Sequence, residues 1–376
     1  MIRTPLIRTL FVAGGLVVAA PLLAGCKRSK PPIAKRVWLG PSGGCVDTPA
    51  HPTSGTFACW GVNGAGQIGD GTTTARASAT KMSFGAGKVK ELALGERHSC
   101  GVFEGGTVQC WGDGSRGQLG DGRPSSLSPI TLTDVSGTNV AVAVGGAHTC
   151  VRDGDEGVNG ERLRCFGAND EGQIGDGDWS RGAPVRSFAL GAAHTCAAYE
   201  KGAGSNAEVV CRGRAVAAPH EPLLGSVVVK ELAAGGDHTC ALIEDGTVRC
   251  WGRNDAGQLG DGTTHDSATP VSIPELHGVI QVAAGRRHTC ALLHVGTVAC
   301  WGANEHHQLS IGTTENSTRP RVVVGLVQGK EIAAAGDGTC ARLEGGYVRC
   351  WGANERGQLG DGSFVEHTVP VQIQFR

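Results

Sequence analysis

Five histidines stand two residues before a cysteine: His98, His148, His194, His238 and His288. Imidazoles gathered around one centre could bind a metal ion or move protons. Metal ligands must converge, however, and each of these histidines occupies the same place in its own copy of a repeat. A backbone hydrogen bond that holds a turn is therefore the expected role. A second recurring string, Gly-Gln-Leu-Gly-Asp-Gly, occurs five times, with Ile for Leu in two copies. It lacks the Lys and Ser/Thr of a phosphate-binding loop and precedes no helical pattern, so it reads as turn chemistry. Asp153, Asp155, Asn159 and Glu161 have calcium-ligand chemistry in the wrong register for an EF-hand, which leaves a solvated hairpin tip. No nucleophile-elbow serine motif and no Ser-x-Asp-x-Gly-x-x-Trp box is present. A carboxylate pair suited to glycoside hydrolysis need only meet in space and stays open at this level.

The thiols carry the next layer of chemistry. There are 15 cysteines. Arg3 and Arg8, an apolar run from Leu10 to Leu23, and Leu23-Ala24-Gly25-Cys26 make a leader too short to span a bilayer comfortably. The segment resembles the lipobox of bacterial lipoproteins. That resemblance implies a signal peptide over 1–25, lipidation of Cys26, and a polar tether over 26–34. The other reading is a plain secretory signal with an incidental cysteine. Lys27, not Asp, follows Cys26; among lipoproteins of double-membraned bacteria this favours the outer membrane.

Setting Cys26 aside leaves seven close pairs. They are Cys45 with Cys59, Cys100 with Cys110, Cys150 with Cys165, Cys196 with Cys211, Cys240 with Cys250, Cys290 with Cys300, and Cys340 with Cys350. Export implies an oxidising compartment, so disulfides are expected; zinc would favour clustered CxxC spacing, which is absent. Four pairs are ten residues apart. A strand from Cys240, a turn at Glu244-Asp245-Gly246 and a return strand to Trp251 would set Cys240 opposite Cys250.

These hairpins must be held by a larger repeat. Cys240, Cys290 and Cys340 are spaced by 50 residues, and 61 glycines with 5% aromatics fit many short strands and tight turns. Small-sided runs such as Leu232-Ala233-Ala234-Gly235 suit a crowded innermost strand near an axis, and the Trp after the second cysteine (Trp60, Trp111, Trp251, Trp301, Trp351) suits packing between units. The string Cys-Trp-Gly-x-Asn-x-x-Gly-Gln-Leu-Gly-Asp-Gly, followed by Ala-Ala-Gly-x-x-His-Thr-Cys-Ala-Leu, resembles the regulator of chromosome condensation repeat. The resemblance covers about residues 35 to 376 and implies an all-β, seven-bladed β-propeller with one intra-blade disulfide per blade. The fourth copy departs from it, with Cys211-Arg212-Gly213-Arg214 and no Gly-Gln-Leu-Gly-Asp-Gly. The seventh has Gly338 in place of His, and the first lacks that His too.

Such a scaffold does not name a function, since the superfamily includes a GTPase exchange factor and a secreted β-lactamase inhibitor. Lys+Arg is 34 and Asp+Glu is 35, so no basic field invites nucleic acid. A leader for export argues against cytosolic GTPases. The expected function is therefore an envelope-anchored, non-enzymatic module that binds a protein or other macromolecule, without cofactor or metal. A polysaccharide hydrolase or lyase and a scaffold subunit are the alternatives. The residues between the inner strand and His-Thr-Cys differ from copy to copy. Glu96, Arg97, Asp237, Arg286, Arg287 and Asp337 are the candidate contacts there, ringing one mouth of the channel.

Overall fold

The chain divides into a unit of Met1–Lys30 and one of Pro31–Arg376. The fold below is that of the second. In a computed structural model the described residues are 34–47, 57–82, 87–135, 137, 140–154, 161–200, 207–214, 224 and 227–376. Cys26 and the leader lie outside them, as do Asp155 and Asn159.

Seven antiparallel sheets follow one another along the chain, over 37–82, 89–131, 141–167, 185–213, 229–272, 279–322 and 329–372; they are blades 1 to 7. Blade 5 shows the plan. An inner strand Val229–Ala234 turns into His238–Ile243, a tight hairpin leads to Val248–Gly252, and a long loop leads to the outer strand Ser267–Ser272. Gly246 makes the hairpin possible with φ of 80°, a conformation that costs glycine no steric clash. Blades 3 and 4 have three strands each among the described residues. The connections between strands therefore collect at two poles of the ring. One pole carries the turns before His-Thr-Cys and the long loops, here the turn face. The other carries the tight hairpins, here the hairpin face.

The register sets the two cysteines of each blade directly opposite one another, as the hairpin spacing predicts. Cys59 faces Cys45 in blade 1, Cys110 faces Cys100 in blade 2, Cys165 faces Cys150 in blade 3 and Cys211 faces Cys196 in blade 4. Cys250 faces Cys240 in blade 5, Cys300 faces Cys290 in blade 6 and Cys350 faces Cys340 in blade 7. All seven expected disulfides are formed, with Cα atoms 4.0 Å apart in blade 7 and 4.1 Å apart in the other six. The longer separations of Cys45 from Cys59, Cys150 from Cys165 and Cys196 from Cys211 leave the pairing unchanged; the extra residues fall between the paired strands.

The core lies between blades. Val279, Val282, Ala291 and Trp301 of blade 6 pack on Cys240, Leu242, Val248 and Cys250 of blade 5, and the pattern repeats around the ring. Burying one such indole removes about 200 Å² from water, on the order of 5 kcal/mol as an upper figure.

The free edges of four inner strands are managed by their neighbours. Gln281 accepts from the Ile332 N–H at 2.8 Å and donates to its carbonyl at 2.9 Å, and Ser187 accepts from the Leu232 N–H at 3.0 Å. Glu231 and Glu91 do the same to Val282 and Val142. Such contacts satisfy backbone groups that would otherwise invite another strand. The ring closes without a shared blade. Residues past the last strand reach blade 1 instead: Ala79 N–H donates to Gln374 O at 2.8 Å, and Arg376 N–H to Ala79 O at 3.0 Å.

Candidate functional site

The five histidines do not converge. Each is buried and reaches the Thr of the next blade's His-Thr-Cys. Nε2 lies 2.9 Å from Thr149 Oγ1 for His98, 3.0 Å from Thr195 for His148 and 2.9 Å from Thr239 for His194. The distances are 2.8 Å to Thr289 for His238 and 2.9 Å to Thr339 for His288. The expected partner was backbone within the turn; the observed one is a side chain about 50 residues on. Thr149, Thr289 and Thr339 donate their own protons to the carbonyls of Gln118, Gln258 and Gln308, so the imidazoles facing them carry the proton on Nε2. Burial holds the rings neutral, with pKa pushed down to about 4 for His98, His194 and His288 and about 3 for His148 and His238. The ring also explains the glycine three residues earlier: a Cβ on Gly285 would lie 2.0 Å from His288 Cε1.

The Gly-Gln-Leu-Gly-Asp-Gly loops are joints between blades. Asn254 Nδ2 donates to the carbonyls of Thr263 and His265, and its Oδ1 accepts from Leu259 N–H. So pinned, the loop presents the Gln258 carbonyl to both Thr289 and the Trp301 indole, each at 2.9 Å. Of the calcium candidates, Asp153 is buried and held by Arg162 at 2.8 Å and Arg164 at 3.1 Å, and Glu161 accepts from the Val185 N–H at 3.0 Å. Among the described residues no three of His, Cys, Asp and Glu are grouped to hold a metal.

The turns before His-Thr-Cys do ring one mouth of the axial channel. Gly145, Gly146, Gly191, Ala192, Gly235, Gly236, Gly285 and Arg286 line a hollow of about 210 Å³ there. Neighbouring turns are stitched by backbone bonds, from Gly146 to Gly191, Ala192 to Gly236, Gly236 to Arg286 and Arg286 to Gly336. Of the six candidate contacts, Glu96 and Arg286 line this mouth, and together with Arg97 and Asp337 they also line a larger pocket. Asp237 and Arg287 line neither. They belong to a chain of ion pairs running Arg214–Asp237–Arg253–Asp255–Arg287–Glu305 at 3.0, 3.7, 2.8, 3.1 and 3.5 Å. Arg97 is likewise tied to Asp113 at 2.8 Å and Arg286 to Asp337 at 3.5 Å. The arginines are thus oriented by carboxylates and are not free cations.

The larger pocket, about 500 Å³, opens at the seam between blades 7 and 1. Its floor is Gly338, Thr339 and Cys340; its walls include Ser42, Glu96, Arg97, Arg286, His306, Asp337, Glu355, Arg356 and Gln358. The sequence reading missed Glu355, Arg356, His306 and Gln358. The signal was present in the two copies without histidine. By register Gly338 stands where the clasp His would be, and Gly44 of blade 1 where its Thr would be. Both halves of the clasp are missing at this seam, and the pocket lies there.

A ring of seven disulfide-stapled, four- or three-stranded sheets around a narrow channel defines a seven-bladed β-propeller whose joints are made by a repeated Asn-Gln loop. Models of the regulator of chromosome condensation (RCC1) repeat match residues 245–292 and 346–376, and a second model of that repeat matches 89–118, 229–258, 279–308 and 330–358. The chain carries RCC1 repeats over those residues. It is similar to the Ultraviolet-B receptor UVR8 of Arabidopsis thaliana, 29% identical over 61% of this chain and 44% of that protein. It is also similar to the Protein RCC2 homolog of Danio rerio, 30% identical over 58% of this chain and 42% of the relative. The chain therefore spans less than half the length of these two relatives. Among solved structures, Prp20p from Saccharomyces cerevisiae superposes with a TM-score of 0.71 at 18% identity, covering 87% of each chain. Human WBSCR16 gives 0.72 at 21%, covering 86% of this chain and 94% of the other. At these identities the likeness establishes the fold.

Proposed function

We propose that this protein is an envelope-anchored lipoprotein whose propeller binds a protein partner across its turn face. The family supports a protein-binding or regulatory role: the solved Prp20p is described with binding properties to Gsp1p and histones, and yeast RCC1 (Prp20) has been solved with Kap60 bound. One observation carries the reading here. The channel mouth, the seam pocket and the residues that differ between copies all fall on one face of a rigid, stapled scaffold. The anchor fits that arrangement. Ala34 N–H donates to Gly346 O at 2.9 Å in the blade 7 hairpin, so the chain enters at the hairpin face. Cys26 is eight residues earlier, a reach of roughly 27 Å when extended. A lipid on Cys26 would hold the propeller at the membrane surface.

The test is cross-linking in intact envelope, capture of the partner, and titration of it against a variant with Arg97, Arg286 and Arg287 all replaced by Ala. Loss of about 2 kcal/mol or more in affinity, at unchanged melting temperature, is expected for a site with hot-spot arginines. Unchanged affinity would move the site to the hairpin face or the blade edges.

A further inference from the structure

One sector of the hairpin face is apolar and open to water. Ile280, Val295, Val322, Val324, Val327 and Tyr347 are between 41% and 68% exposed. They come from four segments that the fold gathers at that pole. These are the start of the blade 6 inner strand Val279–Ala284, the blade 6 hairpin, the run from the end of outer strand Ser317–Val322 into blade 7, and the blade 7 hairpin. Backbone bonds hold the segments side by side. His294 N–H donates to Gly278 O at 3.0 Å, Gly329 N–H to Gly296 O at 2.9 Å and Glu344 N–H to Gln328 O at 2.9 Å.

The repeat shows that a blade does not need these side chains. In blade 5, Lys230, Asp245, Ser272, Pro274 and His277 stand where Ile280, Val295, Val322, Val324 and Val327 stand fifty residues later. Thr297 likewise precedes Tyr347 by fifty. A valine that stays in water in the folded chain adds nothing to burial. Single exposed apolar residues are ordinary, but a group of them in one sector marks a contact surface. The surroundings suit an apolar or anionic neighbour: no Asp or Glu occurs in 279–304 or 317–330, and Glu344 is paired with Lys330 at 3.8 Å.

The point where the chain enters selects the occupant. Ala34 N–H donates to Gly346 O, next to Tyr347 in this sector. Cys26 and the apolar leader lie just upstream, and the stretch between carries Lys27, Arg28 and Lys30 with no carboxylate before Asp47. Such a basic tether is drawn to anionic headgroups. We infer that this sector of the hairpin face rests on an anionic lipid bilayer, with Val295, Val327 and Tyr347 entering the headgroup boundary. The inference rests on the envelope part of the proposed function and adds an orientation, which a tether of this length does not impose by itself. The contact is shallow, made by side chains on hairpin and linker tips, and a tyrosine ring suits the boundary because one end is apolar and the other polar. The turn face, at the opposite pole, then points away from the lipid.

The experiment uses the full-length protein with its disulfides intact, bound to vesicles of phosphatidylethanolamine and phosphatidylglycerol with or without bromine on the acyl chains. Tryptophan probes are placed at Val327→Trp and Tyr347→Trp, with Val365→Trp on the exposed turn-face loop of blade 7 as control, and the wild-type emission is subtracted. Brominated chains should quench the two hairpin-face probes about threefold more than the control. Val295→Asp/Val327→His, which restores the residues that blade 5 carries at those places, should remove the quenching of Tyr347→Trp and leave the melting temperature unchanged. Equal quenching at both poles, or no quenching at 327 and 347 in vesicle-bound protein, would overturn the inference. A blue shift at those probes without quenching by bromine would also overturn it, since it would show a protein neighbour or a second copy on the patch. Quenching reads the face whatever holds the protein on the vesicle, so a failure of Cys26 to carry lipid is a separate result, read by fatty-acid labelling.

Discussion

Acidification should unlock the histidine clasps, and the size of the effect follows from their burial. In the unfolded chain the five imidazoles titrate near 6.5; in the folded chain they stay neutral to about 4 or 3. Between those values the unfolded state binds more protons, so stability is complete above pH 7 and falls as pH drops through 6.5. Near pH 5.5 the histidines contribute roughly four to five protons taken up on unfolding. Glu231 opposes them: burial raises its pKa to about 7, so the folded state holds a proton that the unfolded chain has released. Glu91 is raised for the same reason and acts in the same sense. Set against the histidines, Glu231 leaves a net uptake of about three to four protons, a slope of roughly 4 to 5 kcal/mol per pH unit. Integrated from pH 7 to 5.5 the loss is roughly 4 kcal/mol, a large part of an ordinary folding free energy. For a propeller of this length it corresponds to a fall in Tm of about 6 °C. The assay is calorimetric melting of the disulfide-bonded protein in matched-salt buffers from pH 7.5 to 5, repeated on His238→Gln. That variant keeps a donor for Thr289 but removes one titrating group, so its slope should be shallower by about 1.4 kcal/mol per pH unit. A Tm that stays flat or rises on acidification to pH 5.5, or an identical slope in His238→Gln, would refute the reasoning. Asp70, Asp113 and Asp361, whose carboxyls are held below the usual range by hydrogen bonds to Thr72, Arg97 and Ser363 that outweigh their burial, titrate too low to produce the effect above pH 5.

Three further outcomes are expected. Blade 4 lacks the Gln loop, and the buried Trp251 indole N–H meets no acceptor among the described residues, whereas Trp301 donates to Gln258 O. Trp301→Phe should therefore cost about 1 kcal/mol more than Trp251→Phe in urea denaturation, and equal costs would contradict the joint assigned to that carbonyl. Removing the bridge between Cys240 and Cys250 by double substitution to Ser should cost roughly 3 kcal/mol, because it frees a ten-residue loop in the unfolded chain; a midpoint shift worth less than about 1 kcal/mol would show that the blade does not depend on its staple. Metabolic labelling with a fatty-acid analogue should mark the wild type and not Cys26→Ser, and equal labelling of the two would dismiss the lipid anchor.

What could be read along the chain was what is local. Each cysteine pair lies within one hairpin, so spacing and a glycine turn were enough to pair Cys240 with Cys250, and the 50-residue period was enough to count blades. The turns ringing the mouth were legible for the same reason, because they join consecutive strands. The contacts between blades were not. A repeating His and a repeating Thr are each visible in the sequence, but nothing in their spacing says that His238 clasps Thr289 and not its own turn; that depends on how one sheet packs on the next. The candidate arginines were found without their pairings: Asp113 was not among the candidates, and Asp337, which was, reaches Arg286 from a separate turn. The seam is the extreme case. Gly338 and Gly44 stand near opposite ends of the chain, and each alone reads as a degenerate repeat position. Only closure of the ring brings the two losses to one joint, beside which the pocket opens.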